Sequence, residues 1–244
     1  MPHSQATLPP IDPRTAAVVQ EFEGFSYIVS HDLAASFRHV AEFSRLLVSE
    51  FGEDLTGPQR AYATRVRVST EKCQQMMEQL LVFSRVQQRV MEPARRDAAP
   101  SMELARLQLA SEIRAAGADV SIEPLGEVFG DQFLLEIIFR ALLDNAIKFR
   151  RPGVSPKIRV QTATDDAFWR LRITDNGQGV EPAHREKAFR MFHRLNGEDA
   201  YPGSGAGLSI SRRIARRHEG DLKFIDCTNG ACIELALPRV AAHR

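Results

Sequence analysis

The chain has 244 residues, and its 32 Lys and Arg stand against 31 Asp and Glu, so the formal charge at pH 7 is +1. That balance excludes the bulk field by which strongly basic chains gather on nucleic acid or anionic lipid, and the longest apolar runs fall far short of the roughly 20 residues that span a bilayer. The length suits two small domains, and three cysteines (Cys73, Cys227, Cys232) without metal-ligand clustering predict a reducing compartment and a cytoplasmic protein with no secretion signal.

Residues 1–13 carry Pro2, Pro9, Pro10 and few apolar side chains, and are expected to be a disordered lead-in, with Asp12 and Pro13 as a helix start. From there to Phe51 apolar residues recur at helical spacing through Val18, Phe22, Val29, Leu33, Val40 and Leu47. Gly52 to Gly57 reads as a turn, and Pro58 opens a second helix with a seam through Tyr62, Val66, Cys73, Met76, Leu80 and Phe83. Residues 14–91 are therefore an antiparallel helical hairpin. Two helices cover only part of each other's apolar stripes, so pairing with a second copy into a four-helix bundle is expected.

The proline-rich, charged stretch 92–100 reads as a linker, and a different pattern follows over 101–240. It predicts a helix over 101–116, extended pieces near 119–129, a helix over 131–150 and a strand pair over 157–174. A glycine-bearing loop, a short helix near 182–192, a long loop, a helix over 207–218 and strands at 221–227 and 231–237 complete it. The whole chain is thus α+β, the hairpin preceding an α/β sandwich with its helices on one face.

Four constellations carry chemistry. On the first helix, Ser30-His31-Asp32-Leu33 places a histidine between the apolar positions Val29 and Leu33. A helical histidine is more often a packed or surface residue, but the adjacent Asp32 carboxylate can fix its tautomer and leave the other ring nitrogen nucleophilic. His39, about 80° further round the helix, is a weaker candidate. In Leu142-Leu143-Asp144-Asn145-Ala146-Ile147-Lys148-Phe149, Asn145 and Lys148 share a helix face. A plain polar face is the bland explanation; in the sharper one the Asn145 amide oxygen ligates Mg²⁺ and Lys148 neutralises phosphate. Asp175-Asn176-Gly177-Gln178-Gly179 follows an alternating strand and reads either as a hairpin turn or as a carboxylate that accepts from an adenine amine beside close-approaching backbone. Gly203-Ser204-Gly205-Ala206-Gly207-Leu208 opens a helix whose free N–H groups suit phosphate oxygens, although a merely flexible loop uses glycine too.

Taken in order, these residues resemble the two-component sensor histidine kinases, from about residue 21 to 238. SHDL is similar to that family's histidine box, ALLDNAIKF to its asparagine box, DNGQGV and GSGAGLSI to its two glycine boxes, and AFRMFHRL to its phenylalanine box. The wording of HDL, NAIKFR and MFHRL looks most like the subgroup joined to phytochromes. The resemblance implies a dimerisation and histidine-phosphotransfer hairpin (14–91), the linker 92–100, and a catalytic domain of the Bergerat ATP-binding type (101–240). It implies ATP and Mg²⁺ as cofactors, a homodimer through the hairpin, a response-regulator receiver domain as partner, an upstream sensor domain or protein, and neither nucleic acid nor a membrane span. By the same resemblance His31 accepts the γ-phosphoryl group, Asp32 handles protons, Asn145 holds Mg²⁺, Lys148 faces phosphate and Asp175 reads adenine. Gly177 and Gly179 shape the pocket, Gly203, Gly205 and Gly207 hinge a lid, and Phe189 and Phe192 pack its base.

Three positions depart from the family pattern. Ala141 stands where an asparagine is usual four residues before Asn145, so one polar group on the catalytic face is missing and autokinase activity is expected to be slow or absent. Ser36 replaces a proline, leaving that helix straighter, and Ala35 replaces the polar residue that orients water for dephosphorylation of the partner. Ala141 favours the alternative of a phosphorelay or scaffold protein with a degenerate ATPase domain, whereas Asp175 and the glycine boxes count against it. An anti-sigma-type serine kinase is disfavoured by the hairpin with SHDL.

Overall fold

A computed structural model describes residues 33, 35–52, 56–194 and 203–240, which fall into two compact units, Met1–Gln87 and Gln88–Arg244. His31 and Asp32 lie outside the described residues.

The first unit holds α1 (residues 35–51) and most of α2 (Gly57–Gln88). Helix α2 begins with half of a capping box: Pro58 sits in its first turn, and the Thr56 N–H donates to Gln59 Oε1 at 2.9 Å. Arg60 Nη2 donates to the Gly52 carbonyl at 2.5 Å and ties the end of α1 to the start of α2. Along α1, Val40, Phe43, Leu47 and Phe51 make one apolar stripe at steps of three and four, and Phe43 is 71% exposed. Tyr62 and Val66 continue the exposed apolar surface on α2.

The second unit is a five-stranded sheet with helices on one face, as the alternating strands and amphipathic helices demanded. Its strands are β2 (Asp119–Ile122), β4 (Lys157–Thr164), β5 (Phe168–Asp175), β7 (Cys232–Pro238) and β6 (Asp221–Ile225) in spatial order. The β2–β4 pair is parallel and the other three pairs are antiparallel. Strands β1 (Ala94–Asp97) and β3 (Glu127–Gly130) form a separate antiparallel pair, so part of the stretch read as a linker is strand. Residues 101–116 divide at Leu109 into α3 (Ala99–Gln108) and α4 (Ala110–Ala116). Where a short helix was expected near 182–192 there are two 3-10 turns, Pro182–His184 and Lys187–Phe189, because neither runs far enough to close α-type hydrogen bonds.

On β5 the period of two is strict: Trp169, Leu171 and Ile173 face the core and Arg170 and Arg172 face out. Arg172 pairs across the ladder with Glu234 at 2.8 Å, which keeps that nearly buried carboxylate neutralised. The core is closed by α5 (Gln132–Lys148), whose Leu134, Leu135, Ile138, Phe139, Leu142 and Leu143 are at most 1% exposed. Each such side chain contributes about 1.5–3 kcal/mol on burial. Phe139 meets Trp169 with ring centroids 6.4 Å apart, and the indole N–H donates to the Leu125 carbonyl at 2.8 Å. Helix α6 (Gly207–Arg217) packs beside α5 through Ile210 and Ile214.

The N-terminus of α5 is anchored by a buried polar cluster. Asp131 Oδ1 accepts from the Leu134 N–H at 3.2 Å as N-cap, while Oδ2 accepts from the Glu92 N–H at 3.0 Å and lies 3.4 Å from Arg89 Nε. The Asp131 N–H donates to His218 Nε2 at 3.0 Å, so the ring proton must sit on Nδ1, which donates to the Ile214 carbonyl at 2.9 Å. Burial pulls the His218 pKa below its ordinary value, the Ile214 hydrogen bond and Asp131 opposing. A lowered pKa means that the unfolded chain takes up a proton before the folded one does, so this part of the stability is complete above the ordinary histidine pKa of about 6.5 and is lost as pH falls below it. The thermal midpoint should therefore drop from about pH 7 to pH 5. In His218→Ala the midpoint should be lower throughout and its slope in that window shallower; equal slopes would count against this assignment.

Candidate functional site

Helix α5 carries a buried apolar stripe toward the sheet and, one face round, Ala141, Asn145 and Lys148 at i, i+4 and i+7. Three glycines from elsewhere in the chain close on that line. A Cβ at Gly207 would lie 3.6 Å from Ala141 Cβ, one at Gly203 would lie 3.6 Å from Lys148 Nζ, and one at Gly177 would lie 2.5 Å from the Phe149 carbonyl oxygen. The structure thus brings the end of α5 with Lys148, the Asp175 loop and the Gly203–Gly207 segment close to one another.

Asp175 ends β5 and is held as an acceptor. Its Oδ1 receives the N–H groups of Gly177 at 2.8 Å and Ala231 at 3.1 Å, which leaves Oδ2 without a protein donor among the described residues. Burial raises the carboxyl pKa, and the two N–H donors and the Arg151 charge counter it. A carboxylate with one oxygen fixed and the other open is suited to accept from an amine on a flat base.

The glycines around it are dictated by neighbouring backbone more than by a ligand. Gly179 has φ of +74°, and a Cβ there would lie 2.6 Å from the Gly230 carbonyl oxygen. Gly230, with φ of +69°, would drive a Cβ into the Asp175 carbonyl. Gly230 and Ala231 were missed in the sequence, although Asn229-Gly230 between two strands is a turn signal that marks the spot. Asn176 has a structural role: its Oδ1 accepts from the Lys157 N–H at 2.8 Å and its Nδ2 donates to the Ser155 carbonyl at 3.1 Å.

The opposite side of this space is set by the start of α6. Gly203 and Gly205 have φ of +137° and +74°, and the helix begins without a side-chain N-cap, so its first N–H groups stay available to an anion. Asn145 Nδ2 is buried without a hydrogen-bond partner among the described residues, a state that a bound oxygen would relieve. Lys148 Nζ is engaged by Asp144 at 2.5 Å on the edge of this space. Phe189 is clamped between the Phe224 ring, centroid to centroid 5.5 Å, and the Arg212 guanidinium at 4.6 Å, while Phe192 takes a left-handed φ of 58°. Strain at a bulky residue there marks a segment whose conformation its neighbours impose.

These residues fit a nucleotide with its metal. Asn145 would offer Mg²⁺ a single amide oxygen, a hard donor of the kind that ion takes, and among the described residues no cluster of three or more His, Cys, Asp or Glu forms a separate metal site. Two substitutions probe the base side. Asp175→Asn should weaken ATP binding at least tenfold in calorimetry yet leave the thermal midpoint unchanged or higher, because the fold disfavours the ionised carboxylate. Gly230→Ala should cost about 1–3 kcal/mol of stability by denaturant titration and lose ATP binding with it.

Residues 130–241 match the family described as histidine kinase-, DNA gyrase B-, and HSP90-like ATPase. The chain is 28% identical over 202 residues to the phytochrome-like protein Cph1 of Synechocystis sp., covering 83% of this chain and 27% of that protein. It is 29% identical over 222 residues to the methanogenesis regulatory histidine kinase FilI of Methanothrix harundinacea, covering 89% of this chain and 25% of the relative. It therefore spans about a quarter of the length of these relatives. Histidine kinase ThkA, solved in complex with response regulator protein TrrA, shares the fold with a TM-score of 0.65 at 17% identity, covering 98% of this chain and 70% of that one. Among the described residues no helix is long and apolar enough to cross a membrane. Residues 130–241 are accordingly an ATPase domain of the histidine kinase, DNA gyrase B and HSP90 type, in a chain whose relatives include histidine kinases.

Proposed function

We propose that this chain is the catalytic core of an ATP-dependent protein-histidine kinase that phosphorylates itself on His31 and passes the phosphoryl group to an aspartate of a response-regulator receiver domain. The observation that carries this reading is the convergence on one face of α5 of an open half-buried acceptor (Asp175), a buried amide nitrogen without a partner among the described residues (Asn145) and an uncapped glycine-led helix start (Gly203–Gly207). Phosphoryl transfer asks chiefly for positioning and charge neutralisation, and those three features supply both.

In this reading Asp175 accepts from the adenine amine through Oδ2, and the N–H groups at the start of α6 receive phosphate oxygens. Gly203 and Gly205 let the segment before α6 close over them, with Gly207 seated against Ala141. Asn145 would hold Mg²⁺, which would supply charge neutralisation at the phosphates, and Lys148 would add a positive charge at the same edge. One ring nitrogen of His31 attacks the γ-phosphorus, the bond to the β–γ bridging oxygen breaks, and ADP departs. The proton on the other ring nitrogen is taken toward Asp32. The phosphohistidine then yields its phosphoryl group to a carboxylate oxygen of the receiver aspartate.

Residues 14–91 would serve as dimerisation and phosphotransfer domain and 101–240 as ATP-binding domain, joined through 92–100. The exposed stripe of Val40, Phe43, Leu47 and Phe51 supports a homodimer through the hairpin, since a second copy would remove it from water. The regulator complex of ThkA supports a receiver domain as partner, and a sensor domain or protein upstream would supply the input. Ala141 favours the second reading, a phosphorelay or scaffold protein with weak catalysis, because its methyl group offers no hydrogen bond beside Asn145.

Incubation with radiolabelled ATP and Mg²⁺ should give acid-labile, base-stable label that is lost in His31→Ala and in Asn145→Ala. Nucleotide binding without label would instead support the phosphorelay or scaffold reading.

A further inference from the structure

Three separate segments frame Asp175: residues 149–156 after α5, the glycine loop 175–179, and the turn 226–231 between β6 and β7. Their mutual positions decide where the carboxylate points, because Asp175 Oδ1 is held by one N–H from its own loop (Gly177) and one from the distant turn (Ala231). Backbone contacts join them only in pairs. The Gln178 N–H donates to the Phe149 carbonyl at 3.1 Å, and the Asp175 N–H donates to the Ala231 carbonyl at 3.0 Å.

Arg151 reaches all three. From the first segment its Nε donates to the Gly177 carbonyl at 3.0 Å, and its Nη2 donates to Asn229 Oδ1 at 2.8 Å. Gly177 is thus fixed on both sides, its carbonyl accepting from Arg151 and its N–H donating to Asp175. A planar guanidinium with donors in fixed directions can span two acceptors in this way, and an ammonium on a flexible stem cannot hold the same pair in register. No hydrophobic role competes, since Arg151 is exposed and belongs to no core cluster.

We propose that Arg151 is a positioning residue for base recognition: by bridging Gly177 and Asn229 it sets the orientation of the Asp175 carboxylate toward the adenine amine, without touching the nucleotide. The positive charge it places near Asp175 also favours the ionised acceptor. The inference rests on the ATP-binding reading and adds to it a determinant of adenine selectivity outside the motifs.

The test is calorimetric titration of the full chain with ATP and with GTP, both with Mg²⁺, for wild type, Arg151→Ala, Arg151→Lys and Asn229→Ala. Because triphosphate contacts are untouched, Arg151→Ala should weaken ATP about tenfold and leave GTP affinity unaltered, so that discrimination between the bases collapses. Asn229→Ala removes only the far anchor and should lose part of that discrimination, and Arg151→Lys should recover part of what the alanine loses. A purely structural role would lower ATP and GTP affinity together, in step with the thermal midpoint. An unchanged ATP to GTP ratio in both alanine variants overturns the proposal while the ATP-binding reading stands. Should Arg151→Ala fail to fold, the ratio in Asn229→Ala decides alone. A wild-type chain that binds no ATP sinks the functional reading itself, and this inference with it.

Discussion

Helix α5 is held at both ends by polar contacts that its own residues cannot supply. At its start, Asp131 caps the helix, receives the Glu92 N–H from before β1 and hands its own N–H to His218 just beyond α6. At its end, the Phe149 carbonyl receives the Gln178 N–H and crowds Gly177 closely enough that only glycine fits there. Between these anchors one side of the helix is sealed against Trp169 and its neighbours. A helix fixed along its length in this way can present Ala141, Asn145 and Lys148 on a line that does not drift. Precision at a site built on a rigid element follows from that fixation.

The electrostatics of the site oppose the stability of the fold. A partly buried carboxylate, an amide nitrogen without a partner among the described residues and an uncapped helix start are each unfavourable in isolation. They sit within one small region, and a single ligand bearing an amine at one end and anionic oxygens at the other would satisfy all of them. Costs of this kind gather where binding is expected, whereas the Asp131–His218 cluster has its buried hydrogen bonds complete.

The first unit poses a different problem. Its helices leave Phe43, Phe51 and Tyr62 more than half exposed, an arrangement that a single copy has no interior to absorb. Apolar surface in a continuous helical stripe suits association, and this is the ground on which pairing with a second copy is proposed.

Much of this was written locally. The 3.6-residue period over α5 and the strict alternation of β5 identified those elements, and the motif wording named Asn145, Lys148, Asp175 and the glycines that the fold does gather in one place. Local pattern misjudged residues 182–192, where the helical spacing of apolar side chains is real but the backbone turns are too short. It also passed over β1, whose four residues show no alternation of burial and exist because β3 is there to pair with. What no local reading reaches is the partner set. Ala231 donates to Asp175 across 56 residues, Arg151 reaches Asn229 across 78, and His218 accepts from Asp131 across 87. The sequence by itself determined which chemical groups are present and on which elements they ride, because propensity and periodicity act over a few residues. Only the tertiary structure decided which donor meets which acceptor, because that depends on how the sheet orders its strands and brings distant turns to one edge.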